Sequence, residues 1–176
     1  TPDYVIGPGD EILIRVWGQI DGEHRVAVSR DGTINIPRVG TISVSGIRIQ
    51  DLQGYVRSAI ARNYRNFDLS VSLGQLRSIQ IFVVGQASRP GSYTVSSLST
   101  LVSALFASGG PSGTGSMRRI QLKRGDKTIS EFDVYDFLSR GDKSKDQRLL
   151  PGDVIFIPPV GQLVAISGSV KVPAIY

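Results

Sequence analysis

The segment PGDEILI at residues 8–14 returns in closely similar form as PGDVIFI at residues 151–157. In both segments the Pro-Gly-Asp sequence is typical of a tight turn, because proline presets its φ angle and glycine accepts a positive one. The apolar residues that follow each turn predict a β-strand. The chain therefore starts two of its strands with the same turn, which indicates two related building blocks.

A second internal similarity links IFVVGQASRPGSY at residues 81–93 to VAISGSVKVPAIY at residues 164–176. A glycine, a proline and a tyrosine recur in step, with a constant offset of 83 residues. An offset of this length exceeds the unit of a solenoid and suits a repeated small domain. We expect one domain at 1–76, a second at 77–160, and the truncated start of a further copy at 161–176.

Periodicity predicts a βββαβ arrangement in the first domain. Its helix is the amphipathic stretch from about Gln50 to Tyr64, which places most of its apolar residues on one face. The Asp31-Gly32 dipeptide favours a tight hairpin, since both residues tolerate positive φ. The extended segments are Glu11–Trp17, the hairpin partners Arg25–Ser29 and Thr33–Pro37, then Gly40–Val44 and Leu69–Leu73.

The second domain also combines strands with short helices, so the predicted fold class is α+β. The sequence SLSTLVSALFASGG predicts a helix that is capped by Ser99 or Thr100 and ended by Gly109-Gly110. A helical turn is expected near residues 135–139. The predicted strands are Ile79–Gly85, the hairpin partners Arg119–Lys123 and Thr128–Val134, and the closing strand Val154–Ile157.

The positive charge is concentrated in the second part of the chain. The net charge is +5, and residues 77–176 hold twelve basic and seven acidic residues. Such a field attracts polyanions, which include acidic polysaccharides, phospholipid head groups and nucleic acids. Nucleic acid is disfavoured because the sequence offers no recognition helix and no aromatic residues interleaved with the basic cluster.

The most suggestive functional surface is a basic hairpin. Alternation places Arg119, Gln121 and Lys123 on one face of its first strand, opposite Ile120 and Leu122. This surface fits an acidic glycan, a neighbouring subunit or anionic lipid, and ordinary solvent exposure is the simpler alternative. The candidate contact residues are Arg118, Arg119, Lys123, Arg124 and Lys127.

Residue types that support catalysis are scarce. The chain has no cysteine and one histidine, His24, which we place in a loop. Neither a nucleophile elbow nor a phosphate-binding loop occurs, and no segment spaces oxygen ligands as a calcium loop does. We therefore expect no enzyme activity, no metal and no cofactor. Trp17, Tyr4 or Tyr64 can stack on sugar rings, although packing is the simpler role for these aromatic side chains.

Three consecutive stretches resemble the N-terminal domain of the bacterial outer-membrane polysaccharide exporters of the Wza type. They are YVIGPGDEILIRV (4–16), SRDGTINIPRVGTISVSG (29–46) and IQDLQGYVRSAI (49–60). The part from Ile79 to Pro159 is similar to the soluble-ligand-binding β-grasp (SLBB) domain of these exporters. It shares their Val-Gly-x-x-x-x-Pro-Gly-x-Tyr motif, a helix ending in Ala-x-Gly-Gly, and a Leu-x-Pro-Gly-Asp strand.

The resemblance implies a polysaccharide export domain at 1–76, an SLBB domain at 77–160 and the first strand of a second SLBB domain. It also implies a periplasmic ring of identical subunits, associated with the outer membrane, that passes capsular polysaccharide or exopolysaccharide outward. The implied partners are the polysaccharide chain, other copies of the full-length protein and an inner-membrane polysaccharide copolymerase.

The family's lipidated cysteine and its C-terminal amphipathic helix are not found in these residues. The chain starts with threonine and its single methionine is Met117, so we expect a trimmed part of a longer protein that meets the outer membrane through other segments. The alternative function is a periplasmic glycan- or ligand-binding β-grasp scaffold that is not part of a pore.

Overall fold

A computed structural model describes residues 2–162 and the backbone of residues 165–166 and 174–175. The chain divides into two compact units, Thr1–Ser78 and Ile79–Tyr176. Both units combine helices with antiparallel or mixed sheets, which confirms the predicted α+β class. The expected further copy at 161–176 lies outside the described residues, except for the two-residue strands β11 (Ala165–Ile166) and β12 (Ala174–Ile175), which pair antiparallel.

The first unit contains a three-stranded antiparallel sheet, a separate hairpin and one helix. The sheet has the order β2-β1-β5, and the hairpin consists of β3 and β4. In chain order the elements are β1 (Glu11–Gly18), β2 (Gly22–Ala27), β3 (Thr33–Ile36), β4 (Gly40–Ser43), α1 (Ile49–Ile60) and β5 (Phe67–Leu73).

The core of the first unit follows the predicted periodicity. Strand β1 buries Ile12, Ile14 and Val16 on one face, as alternation along a strand requires. Helix α1 buries one stripe and ends four residues earlier than predicted, because residues 61–63 continue as a turn. The buried residues of α1 are Leu52, Val56, Ala59 and Ile60.

The predicted hairpin around Asp31-Gly32 is wrong in its strand pairing. The turn itself forms: Gly32 has φ +79°, and its N–H donates to the Ser29 carbonyl at 3.0 Å. However, β2 pairs along its length with β1, and β3 pairs with β4. Turn residues specify a local change of direction, whereas pairing depends on which strand offers the longer ladder and the matching buried face. The first unit has four strands before its helix, one for each of the four predicted extended segments, so the label βββαβ counted one strand too few.

Up to residue 162, the second unit consists of a five-stranded mixed sheet and two short helices. The strand order is β7-β6-β10-β8-β9; β10 runs parallel to β6 and antiparallel to β8. The elements are β6 (Ser78–Gly85), β7 (Gly91–Ser96), α2 (Leu101–Ala107), β8 (Ile120–Arg124), β9 (Lys127–Phe132), α3 (Val134–Arg140) and β10 (Val154–Ile157). The prediction missed β7, and it placed β10 and the basic hairpin correctly.

One face of this sheet packs against the helices. Helix α2 starts at the predicted cap: the backbone N–H of Ser103 donates to the Thr100 side chain, and the Ser103 hydroxyl in turn accepts from the Thr100 backbone N–H. Such a reciprocal cap satisfies two donors that the first helical turn leaves open. The buried cluster includes Ile79, Ile81, Val83, Leu101, Ala104, Leu105, Ile120, Leu122, Phe132, Val134, Ile155 and Ile157.

Gly85 joins β6 to the loop that leads to β7, at a point where only glycine fits. Its φ is +84°, and a Cβ there would lie 2.2 Å from the carbonyl oxygen of Ile157. That oxygen accepts a hydrogen bond from the Gln86 N–H at 2.8 Å, so it belongs to the junction of β6 and β10. The glycine of the Val-Gly-x-x-x-x-Pro-Gly motif is therefore required by close backbone approach.

We predict that Gly85→Ala lowers the free energy of unfolding by about 3 kcal/mol or more, because strain at positive φ adds to a backbone clash. Gly110→Ala is the matched control. Gly110 also has positive φ, +71°, but a Cβ there meets no atom within 4 Å, so we expect a loss of only about 1 kcal/mol. Urea unfolding of both variants tests the difference, and equal losses would contradict the role of close approach.

Candidate functional site

The two Pro-Gly-Asp turns have the same geometry. Asp10 and Asp153 are both fully buried. In each turn a carboxylate oxygen accepts the backbone N–H three residues earlier, from Gly7 at 2.9 Å and from Leu150 at 2.8 Å. Each aspartate also donates its own N–H to the carbonyl of that same residue at 3.1 Å. The similarity between residues 8–14 and 151–157 is thus a repeated structural unit that starts β1 and β10.

Each buried carboxylate is neutralised by an arginine. Arg124 meets Asp153 with two hydrogen bonds of 2.8 Å, from Nε and Nη2. Arg77 donates to Asp10 through its backbone N–H and through Nη1, both at 2.8 Å, and the Tyr4 hydroxyl adds a further bond of 2.8 Å. A buried carboxylate is stable only with such charged and neutral donors around it.

The pairing with Asp153 removes Arg124 from the free cations of the basic hairpin. The hydrogen bonds to Asp153 raise the pKa of Arg124 above its ordinary value, and its charge is matched by the buried carboxylate. Arg118 instead lies 4.8 Å from the ring centroid of Tyr135 on α3, and Lys127 is exposed at the start of β9.

Lys123 lies on a sheet face with a different composition. Its ammonium is 4.7 Å from the centroid of the Phe156 ring, within the range of a cation–π contact. The exposed Arg119 immediately precedes β8, and continued alternation from the buried Ile120 predicts that it extends this side of the strand. The predicted contact residues therefore separate: Lys123 lies on this face and Arg119 is predicted to extend it, whereas Arg118, Arg124 and Lys127 have other surroundings.

The strand register identifies the rest of that face. Val154 lies opposite both Phe82 and Lys123, and in the next row Phe156 lies opposite Val84 and Gln121. Directly paired residues point to the same side of a sheet. We name these residues, together with Arg119, the open sheet face: Phe82, Val84, Arg119, Gln121, Lys123, Val154 and Phe156.

The open sheet face is apolar at its centre and cationic along β8. Phe82 is 38% exposed and Val84 is 36% exposed, while Val154 and Phe156 are half-buried. Phe82 and Phe156 were not among the contact residues predicted from the sequence. Their signal was available, since IFVVG and VIFI are apolar at consecutive positions and so must present apolar side chains on both faces of the sheet. Such a surface can contact the C–H groups of a ligand's ring through Phe82 and Phe156, and at the same time an acidic group of the ligand through Lys123.

The remaining candidates fall into ordinary positions, with two corrections. His24 lies in β2 opposite Ile14, and the loop assignment is wrong. Tyr4 is buried, as a packing role predicts, whereas Trp17 at the end of β1 is 46% exposed. In residues 2–162, no group of three or more histidine, cysteine, aspartate or glutamate side chains is arranged to hold a metal ion. Within the same described part, none of the helices is long and apolar enough to cross a bilayer.

Comparison with known proteins assigns both units. Residues 1–74 match the family model of polysaccharide biosynthesis/export proteins, and residues 80–157 match that of the SLBB domain. The chain belongs to the polysaccharide export family.

Named relatives agree with this family. The chain is 32% identical over 172 residues to the polysialic acid transport protein KpsD of Escherichia coli, covering 97% of the chain and 31% of KpsD. It is 28% identical over 200 residues to the EPS I polysaccharide export outer membrane protein EpsA of Ralstonia solanacearum, covering 99% of the chain and 52% of EpsA. The chain thus spans about a third of the length of KpsD and about half of the length of EpsA.

We predict that Arg124→Met lowers the free energy of unfolding by about 2 kcal/mol. The change leaves Asp153 buried without a cation, and the loss is smaller than for a fully buried pair because the Arg124 side chain is 37% exposed. Arg119→Met, on the same hairpin and exposed, is the control and should change stability by less than about 0.5 kcal/mol. If thermal or urea unfolding showed equal losses, the ion pair would not stabilise the SLBB unit.

Proposed function

We propose that this chain is the periplasmic part of an outer-membrane polysaccharide exporter, in which several subunits form a ring-like conduit for capsular polysaccharide or exopolysaccharide. The observation that carries the proposal is the succession of an export domain at 1–74 and an SLBB domain at 80–157. It is supported by relatives that are named for polysaccharide export or polysialic acid transport.

The open sheet face suits the requirements of a conduit. A polymer that must move through a pore needs surfaces that hold it weakly, because deep binding sites along the path would delay release. Phe82 and Phe156 offer ring surface to the C–H groups of a sugar, and Lys123 and Arg119 attract acidic groups. We propose that these four residues contact the polysaccharide.

The proposed partners follow from this role. They are the polysaccharide chain, other copies of the full-length protein and an inner-membrane polysaccharide copolymerase. We propose that the full-length protein is associated with the outer membrane. The role is that of a structural carrier, without catalysis, and the location is the periplasm.

A second candidate is a periplasmic glycan-binding scaffold outside any pore. The half-exposed apolar centre of the open sheet face favours it equally, since a surface of this composition can hold a glycan in a single subunit. The export role predicts that secretion is lost when the chain is deleted and that the full-length protein forms rings. The scaffold role predicts neither.

The test of export is a deletion in the bacterium that encodes the chain. Removing the codons for residues 1–176 from the full gene should abolish polysaccharide at the cell surface and leave polymer inside the cell, and the intact gene should restore secretion. Purified full-length protein should form closed rings by electron microscopy. Normal secretion after the deletion would reject the export role, whereas lost secretion with a monomeric protein would reject the ring.

The open sheet face is tested with the double variant Arg119→Gln/Lys123→Gln. We expect it to bind a polysialic acid oligomer about three- to tenfold more weakly than the parent chain, because each exposed ion pair contributes only modestly. The control is Arg62→Gln/Arg65→Gln, which removes the same charge from exposed positions of the first unit. Titration at two salt concentrations is the measurement. An equal effect of the two variants would indicate that net charge alone attracts the polymer.

A further inference from the structure

A groove of about 550 Å³ runs along the outer side of α1 in the first unit. It is lined by the turn before the helix and by one face of the helix. Positions 51, 54, 55 and 58 share that face, because residues three, four and seven apart are neighbours on a helix. The lining residues that matter for its chemistry are Gly46, Arg48, Asp51, Gly54, Tyr55 and Ser58.

Gly54 creates the open space at the centre of the groove. It lies within α1, where glycine destabilises a helix relative to alanine. A Cβ at Gly54 would meet no atom within 4 Å, and the same is true of Gly46 in the preceding turn. Packing within this unit therefore gives no reason for glycine at position 54. The missing side chain leaves room for a molecule that approaches the helix backbone closely.

The side chains around Gly54 combine an aromatic ring with hydrogen-bonding groups. Tyr55 is 42% exposed, so the ring has accessible surface and a hydroxyl at its tip. The Ser58 hydroxyl donates to the Gly54 carbonyl at 3.0 Å, which leaves the serine oxygen as an acceptor. Asp51 adds two acceptor oxygens, and Arg48 adds guanidinium donors.

The charges of the groove disfavour an acidic ligand. Arg48 lies 3.7 Å from the Asp3 carboxylate, so its positive charge is already matched. In the part of the chain that the structure describes, the Asp51 carboxylate has no cation within salt-bridge distance. The groove therefore has no surplus positive charge for an acidic group, unlike the open sheet face with Lys123.

The size of the groove favours a small molecule over a protein. The groove is shallow and widely open to solvent, so it can cover one side of a small molecule. A stable protein interface needs roughly 800 Å² and 20–30 residues on each side, whereas this groove is lined by seven residues.

We propose that this groove binds one uncharged pyranose unit of a glycan, with the ring over Gly54 and beside Tyr55. The sugar hydroxyls donate to Asp51 and Ser58 and accept from Arg48. The inference rests on the proposed function for its ligand class, and it adds a second sugar contact in the export domain, of different charge from the open sheet face.

The test is NMR titration of the ¹⁵N-labelled 176-residue chain with three uncharged trisaccharides, maltotriose, cellotriose and triacetylchitotriose. We expect at least one of them to shift the amide signals of the turn at 46–48 and of α1. The absence of shifts in this region with all three sugars at millimolar concentration would overturn the proposal.

Three variants separate binding from folding. Tyr55→Ala should weaken binding about tenfold through the loss of ring contact. Gly54→Gln should raise the melting temperature, because it replaces glycine in a helix, and yet abolish binding by filling the groove. Gln53→Ala, an exposed change on the same helix, should leave binding unchanged. Unchanged binding in Gly54→Gln would overturn the proposal even if the other variants behave as expected.

The outcome is distinguishable from that of the export hypothesis. Gly54→Gln should leave binding of the sialic acid oligomer to the open sheet face unaltered. If the trisaccharides fail to bind while deletion of the chain still abolishes secretion, the proposed sugar site in the groove is rejected and the export role stands. If the trisaccharides bind and secretion survives the deletion, the groove belongs to a glycan-binding scaffold.

Discussion

Both units of this chain depend on a carboxylate that is buried at the start of a strand and neutralised by an arginine. Asp10 and Asp153 could not be buried without these partners, since an unpaired charge in a core destabilises a fold by several kcal/mol. The two arginines reach their partners in different ways. Arg77 comes from the end of the first unit and uses its backbone N–H as well as its side chain, whereas Arg124 comes from the neighbouring strand β8. The same turn is thus stabilised by contacts far away in sequence.

The sheet of the SLBB unit has two faces with different physical tasks. Ile81, Val83 and Ile155 are excluded from water and hold α2 and α3 against the sheet. Phe82 and Phe156 lie between these residues in sequence but point to the opposite side, where they remain partly accessible. Rigid strands therefore fix the spacing of the exposed rings and of Lys123, without needing a loop to order itself around a ligand. A ligand that meets such a preformed surface binds with a lower entropic cost than one that must order a loop.

Sequence reasoning succeeded where the determining interactions are local. The cap at Thr100, the helix end at Gly109 and the strand Val154–Ile157 depend on neighbours within a few positions, and all three were predicted. It failed where distant segments decide, as in the pairing of β2 with β1. Arg124 is the informative case in the candidate site, because its partner lies 29 residues away, and its basic neighbours in sequence, Lys123 and Lys127, led us to count it with the solvent-exposed cations. The open sheet face was missed for the same reason, since only the β6–β10–β8 register brings its members together.

The parallel alignment of β6 and β10 has a consequence for any protein that repeats this module. Its first strand and its closing strand point in one direction, so the polypeptide comes in at one end of the sheet and goes out at the other. A copy joined to the end of such a module therefore begins at the opposite end of the sheet from the point where the first module began.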